Sequence, residues 1–191
     1  MGPGTPLTRI TLSAASVADD LGYVALADLA QALGDLTEDY RVIGGHMVTV
    51  LAARWQLGHE LYRETGDVDL GIPPIVARDR NLGETVRCEL PFADEVSALV
   101  LKAQATRVRS KDTDIADIWR CLEIAFAAGV GPENFAGGVR AESAELIRSL
   151  FRNRRNAPIT AVSLGQRLSA EAADGRLTRI RALISRVLGS G

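Results

Sequence analysis

Cysteine, histidine and aromatic residues are all scarce in this chain of 191 residues, and long apolar runs are missing. Cys88 and Cys121 are too few to define a disulfide framework or a zinc site, so reduced thiols in a cytoplasmic protein are the expectation. Each thiol reads as a small buried hydrophobe, because neither has a motif partner. Aromatics are 5% of the chain, too sparse for a stacking platform that would hold nucleic-acid bases. No stretch approaches the roughly 18 apolar residues of a membrane span. Residues 1–6 are rich in Gly and Pro and carry neither a basic nor an apolar segment, so no secretory signal is expected there.

What the chain does contain is an ordinary globular mixture, 47% apolar and 24% charged, which argues against global disorder. The length suits one domain with a real core or two small lobes sharing a cleft. Its charge is uneven. Residues 1–100 hold 7 Lys+Arg against 15 Asp+Glu, and residues 101–191 hold 15 against 9, so a half of −8 is joined to a half of +6. Such a split suits a protein that holds cations in one lobe and a polyanion on the other; solvated basic helices are the plainer alternative.

The pattern predicts strands before residue 92 and helices after it. Ser16 with Asp19 three residues on marks a helix start, followed by Leu26, Leu29, Ala30 and Leu33 at helical spacing, with Gly34 as the stop. Residues 40–43 read as a short strand ended by Gly44-Gly45, and residues 46–57 as a helix. After the turn Thr65-Gly66, residues 67–72 alternate polar and apolar as a half-buried strand does, and Pro73-Pro74 stops them. A short helix over 76–82 and a strand over 85–90 follow. Helices are then expected over 95–108, 114–128, 141–151 and 163–188, the last interrupted near Asp174-Gly175. No internal repeat or low-complexity segment is present. The fold class expected is α+β: a small mixed-sheet lobe with N-terminal helices over 1–92, then a helical lobe over 93–191.

The residues with most chemical content are Asp67 and Asp69. In a strand, positions i and i+2 share a face, so the two carboxylates would sit side by side while Val68 and Leu70 turn to the core. Adjacent carboxylates repel unless a cation lies between them, and such hard oxygen ligands suit Mg²⁺ or Mn²⁺ shared with substrate phosphates. Gly44-Gly45, at a strand-to-helix junction, lets backbone N–H groups approach an anion. Together the glycine corner and the acid pair would hold a nucleoside triphosphate for in-line displacement of pyrophosphate. Alone, Asp-x-Asp is commonly a solvated strand end, and Gly-Gly commonly a turn.

The run Ile43-Gly44-Gly45, then Arg63-Glu64-Thr65-Gly66-Asp67-Val68-Asp69-Leu70, resembles the core of the polymerase-β-type nucleotidyltransferase superfamily, and more narrowly the AbiEii/MenT-type toxins of bacterial toxin–antitoxin systems. Leu99-Val100-Leu101-Lys102-Ala103, followed by Arg107, Arg109, Lys111-Asp112 and Asp117, resembles that family's Leu-Lys-Ala helix and its next Lys-Asp…Asp segment. The likeness spans roughly residues 41–125. It implies metal ligation by Asp67 and Asp69, a triphosphate cradle at Gly44 and Gly45, phosphate neutralisation by Lys102, and an acid needed for activity at Asp117, acting by positioning Lys102. It also implies transfer from an NTP to RNA, at the tRNA 3′ end, with a block of translation and a cognate antitoxin as partner. Thr65 stands where some members carry a hydroxyl that the antitoxin phosphorylates; a turn or cap residue is the other reading.

One departure stands out. The superfamily usually carries a third carboxylate on a later strand, and the gap from Asp69 to Lys102 is short. Glu89 is the only acid well placed in it, as metal ligand or as an ordinary exposed residue. Arg63 reads as a phosphate contact or as a partner of Glu60 or Glu64. His46 reads as a phosphate contact or a plain helix-start residue, and His59 has no partner in sequence. Arg152, Arg154 and Arg155, with Arg148 a turn earlier, are the densest basic cluster: an RNA grip or a solvated helix end. The leading expectation is a cytoplasmic, metal-dependent RNA nucleotidyltransferase. The alternatives are transfer to a protein or small molecule, and a catalytically degenerate binding module.

Overall fold

The computed structural model describes residues 10–14, 16–33, 41–62, 90–109, 111–152, 156 and 169–190. Six α-helices are found among them: α1 (Val17–Leu33), α2 (Gly44–Arg54), α3 (Glu95–Val108), α4 (Asp112–Ala127), α5 (Gly138–Arg152) and α6 (Ala170–Leu188). Short 3₁₀ turns lie at His59–Leu61 and Pro132–Phe135. The chain divides into two compact units, Met1–Phe92 and Ala93–Gly191. No described helix is long and apolar enough to cross a membrane.

The expected mixed-sheet lobe is overturned. The described residues are 76% helical, with no strand or sheet among them. Of the run expected at 40–43, the described residues 41–43 show one isolated parallel bridge, Val42 with Phe92, in which the Val42 N–H donates to the Pro91 carbonyl at 2.8 Å. Beyond Val42 and Phe92 a ladder has no residues to continue into. Ile43 is already the extended N-cap of α2, and Asp94 is already the N-cap of α3, its carboxylate accepting from the Ser97 N–H at 2.7 Å. Pro91 has no N–H to add to a ladder. The strands expected over 67–72 and, except for Leu90, over 85–90, with the helix over 76–82, lie outside the described residues.

In the first unit, α1 starts where its cap predicts, with Ser16 Oγ accepting from the Asp19 N–H at 3.1 Å. Leu26 and Leu29 of α1 are buried, as are Met47, Val48, Leu51 and Ala52 of α2. α2 begins at Gly44 itself, two residues before the expected start. Gly44 has φ +84°, a conformation that a residue with a Cβ adopts only under strain.

The second unit is a bundle built around α4, which packs against α3 and α6, while α5 packs against both α3 and α6. Its core is Leu99, Ile118, Leu122, Ile147, Phe151, Ile180, Leu183 and Val187, all nearly or fully buried. Burying side chains of this size stabilises by roughly 1.5–3 kcal/mol each before entropy is counted. Gly129 ends α4 at φ +72°, donating to the Phe126 carbonyl while the Val130 N–H reaches Ala125, a Schellman closure.

The expected break near Asp174-Gly175 is absent: α6 runs through it without interruption. Ser169 caps the helix by accepting from the Ala172 N–H, and three further turns of buried apolar residues hold the glycine in helical conformation against its propensity. A Cβ added at Gly175 meets nothing within 4 Å. Gly175→Ala is therefore expected to raise stability by about 0.5–1 kcal/mol, read as a higher urea midpoint with an unchanged slope.

Candidate functional site: a buried ion triad and a buried glycine corner

Helix α3 carries Ala98, Leu99, Lys102 and Ala103 on one buried face. The 3.6-residue period therefore turns Lys102 inward with the leucine. On α4, the acids and bases at 114, 117 and 120 recur every three residues within an otherwise apolar run, so they too share a buried face. The two helices bring Lys102 Nζ to 2.7 Å from Asp117 Oδ2. Arg120 donates from Nη1 to the other oxygen, Oδ1, at 3.0 Å. Exposure is 5% for Lys102, 0% for Asp117 and 2% for Arg120, so all three charges sit away from bulk water. Beside them, Arg109 donates to both oxygens of the buried Asp114, at 3.2 and 3.4 Å.

Removing charges from water is costly, and mutual attraction only partly offsets it. A triad of this kind marks a functional-site candidate or a device for packing specificity. The neighbouring Cys121 is buried with it. Burial pushes its thiol up to about 12 from 9.0; the Asp117 carboxylate adds to the rise, and Lys102 and Arg120 pull the other way. The thiol is thus neutral and unreactive at neutral pH, in keeping with a small core residue.

Of the residues singled out in the sequence, the structure brings Lys102 and Asp117 into direct contact. It adds Arg120 and Asp114, which sequence reasoning missed. The signal was available: charges at 114, 117 and 120 at helical spacing, with only apolar residues between them. Arg107 is instead an exposed rim residue, bonded to Glu142 at 3.3 Å and to Gln104.

In the first unit, Gly44, Gly45 and His46 all lie buried in the first turn of α2. His46 is turned inward, meeting the Tyr23 ring edge-on at a centroid distance of 5.8 Å. That placement suits packing better than a phosphate contact. Burial raises the Tyr23 phenol to about 12, with smaller rises from Asp19 and Tyr62. His59 opens the 3₁₀ turn after α2.

Arg63, Thr65, Asp67, Asp69, Glu89, Arg154 and Arg155 lie outside the described residues. Among the described residues, no group of three or more His, Cys, Asp or Glu side chains could hold a metal ion. Arg152 is 69% exposed and pairs with Glu145 at 2.8 Å. Arg148 serves the fold, because its guanidinium donates to the Leu188 and Gly189 carbonyls at the end of α6.

Comparison with protein-family models, curated proteins and solved structures gives no match to this chain.

Proposed function

We propose that this protein is a toxin-type, metal-dependent nucleotidyltransferase that moves a nucleoside monophosphate from an NTP to an RNA acceptor, with the tRNA 3′ end as the first acceptor to test. The observation that carries the reading is the buried contact of Lys102 with Asp117, two residues that the motif resemblance had paired in function. Helices α3 and α4 supply the two partners, and Arg120 holds the second oxygen of Asp117. A lysine fixed by a carboxylate offers its remaining N–H groups in set directions, which suits a point charge meant for phosphate. The acidic and basic halves of the chain fit a cation-assisted nucleotide and a polyanionic acceptor respectively.

In the reaction, an acceptor 3′-hydroxyl attacks the α-phosphate of the NTP, the new P–O bond forms, and pyrophosphate leaves. Asp67 and Asp69, with Glu89 as a third carboxylate, are the residues that would hold Mg²⁺ or Mn²⁺, and the ion would supply neutralisation of phosphate charge. The N–H groups of Gly44 and Gly45, in the first turn of α2, would face the triphosphate. In the same reading, Arg63 would contact a phosphate. A cognate antitoxin that phosphorylates Thr65 would place about −1.5 to −2 of charge beside the acid pair and shut the site.

A second reading has its own support. Lys102 and Asp117 are buried as deeply as core residues, which also suits a nucleotidyltransferase-derived binding module without chemistry.

The test is to incubate the protein with Mg²⁺, total tRNA and each α-labelled NTP, beside an Asp67→Asn/Asp69→Asn control. Label in RNA that falls by roughly 10³-fold or more in the control is expected. No label with any NTP overturns transfer to RNA. Calorimetry with NTP and Mg²⁺ then separates what is left: binding points to a protein or small-molecule acceptor, and no binding to the module.

A further inference from the structure

We infer that α6, with the end of α5, presents the surface that grips the phosphate backbone of RNA. This deepens the proposed function by naming where the acceptor lies. From Gly175 to Ser190 the chain has four arginines, Arg176, Arg179, Arg181 and Arg186, and no acid. The large apolar residues of this stretch, Leu177, Ile180, Leu183, Ile184, Val187 and Leu188, are all buried. The helix is therefore firmly seated, and beyond the acids of its N-terminal end, Glu171 and Asp174, the charges that it turns outward are basic.

The arginines form two rows. On the flank toward α4, the guanidinium of Arg176 lies 4.3 Å over the Trp119 ring, and those of Arg179 and Arg186 lie 5.2 and 5.6 Å from the Phe126 ring. Arg179 also donates to both oxygens of Glu123, at 3.1 and 2.7 Å. Stacking on aromatic faces holds these planar groups in place, so less side-chain entropy is lost when phosphate binds.

On the flank toward α5, a groove of about 410 Å³ is lined by Arg148, Arg152 and Arg181, with Ser185 and Ser190 adding hydroxyls. Arg181 has no acidic partner among the described residues, and Glu145 is the one acid that meets Arg148 and Arg152. The Leu188 and Gly189 carbonyls would repel an anion, but Arg148 already covers them. Three guanidinium groups against one carboxylate and a helix-end charge of about −0.5 leave the groove at roughly +1.5.

Two other partners fit less well. A membrane-lying helix needs an exposed apolar face, and a protein interface needs an apolar anchor. None of the exposed large hydrophobic residues belongs to α6. Guanidinium forks spaced along a helix, with hydroxyl donors between them, match a row of phosphates.

The experiment is fluorescence anisotropy of the full chain with a 5′-labelled tRNA transcript, without nucleotide, from 50 to 200 mM NaCl. Arg152→Glu/Arg181→Glu is compared with wild type and with Arg107→Glu/Arg140→Glu, which changes net charge equally elsewhere on the same unit. The first variant is expected to weaken binding at least ~10-fold and to lower the slope of log K against log salt by roughly 1.4–1.8, two phosphate contacts' worth. The second variant should change affinity less than ~2-fold, and both should melt as wild type does. No RNA binding by wild type, an unchanged affinity in the first variant, or equal losses in both variants overturns the surface. The binding assay is repeated with Asp67→Asn/Asp69→Asn. Binding that survives in this variant is expected; wild type that binds RNA but transfers no nucleotide from any NTP sinks the enzyme reading alone, whereas transfer with an unchanged KM for RNA in Arg152→Glu/Arg181→Glu sinks this surface alone.

Discussion

Asp117→Ala is expected to destabilise the second unit by about 3–5 kcal/mol. The carboxylate is fully buried and receives Lys102 on one oxygen and Arg120 on the other. Its loss leaves two cations without that shared counter-charge in a region that water does not reach, and the desolvation already incurred is no longer offset. Lys102→Met should cost clearly less. The methionine fills the same space with apolar atoms, and Asp117 keeps its bond to Arg120. Urea denaturation followed by far-ultraviolet circular dichroism orders the two variants. An Asp117→Ala loss below about 1 kcal/mol would mean that the triad is solvated or redundant. The same pair of variants separates structure from chemistry. If Lys102 meets phosphate, Lys102→Met should retain the fold yet lose roughly 10²–10³-fold in nucleotide transfer, the scale for removing one preorganised charge donor.

Alkaline pH is expected to unfold the same unit early, through Cys121. Its thiol titrates near 9.0 when unrestrained, and burial holds it up to about 12 in the folded protein. Between those values the unfolded chain has lost the proton and the folded chain has kept it. The unfolded state thus binds fewer protons, and stability must fall as pH rises through that window. The folded-to-unfolded ratio drops up to tenfold per pH unit, on the order of 4 kcal/mol across the whole range. Tyr23 adds a decline of the same sign in the first unit, starting from 10.0 and ending near 12. Cys121→Ala removes the thiol's share. Although less stable at pH 8, where it leaves a small cavity, this variant should approach wild type as pH climbs to 11. Parallel stability curves for the two proteins over that range would refute the assignment.

Helices were legible where local chemistry and packing agree. α3 follows its Leu99 and Ala103 stripe, α1 starts at the Ser16 cap, and α4 stops at Gly129, each dictated by contacts within a few residues. Glycine ran against expectation twice. At Gly44 it opens a helix rather than preceding one, and at Gly175 it lies inside one. At Gly44 the residue supplies the φ of +84° that the first position takes, and at Gly175 burial of flanking apolar residues outweighs a propensity cost of about 1 kcal/mol. The expected strand at 40–43 failed for a different reason: β structure needs a partner of matching length, and no single segment reveals whether it has one.

The acid pair Asp67/Asp69, the glycine corner and the Lys102 motif are properties of the sequence alone, because their spacing and residue types carry the resemblance whatever the packing. So is the basic, acid-free stretch from Gly175 to Ser190. The tertiary structure decided which charges are hidden and which are shown. It drew Lys102 and Asp117, 15 residues apart, into one buried pair and recruited Arg120 to hold it. It committed Arg148 to the end of α6 and laid Arg176, Arg179 and Arg186 on aromatic rings. Those outcomes depend on how helices distant in sequence meet, and a charge becomes costly, and therefore informative, only when packing takes it out of water.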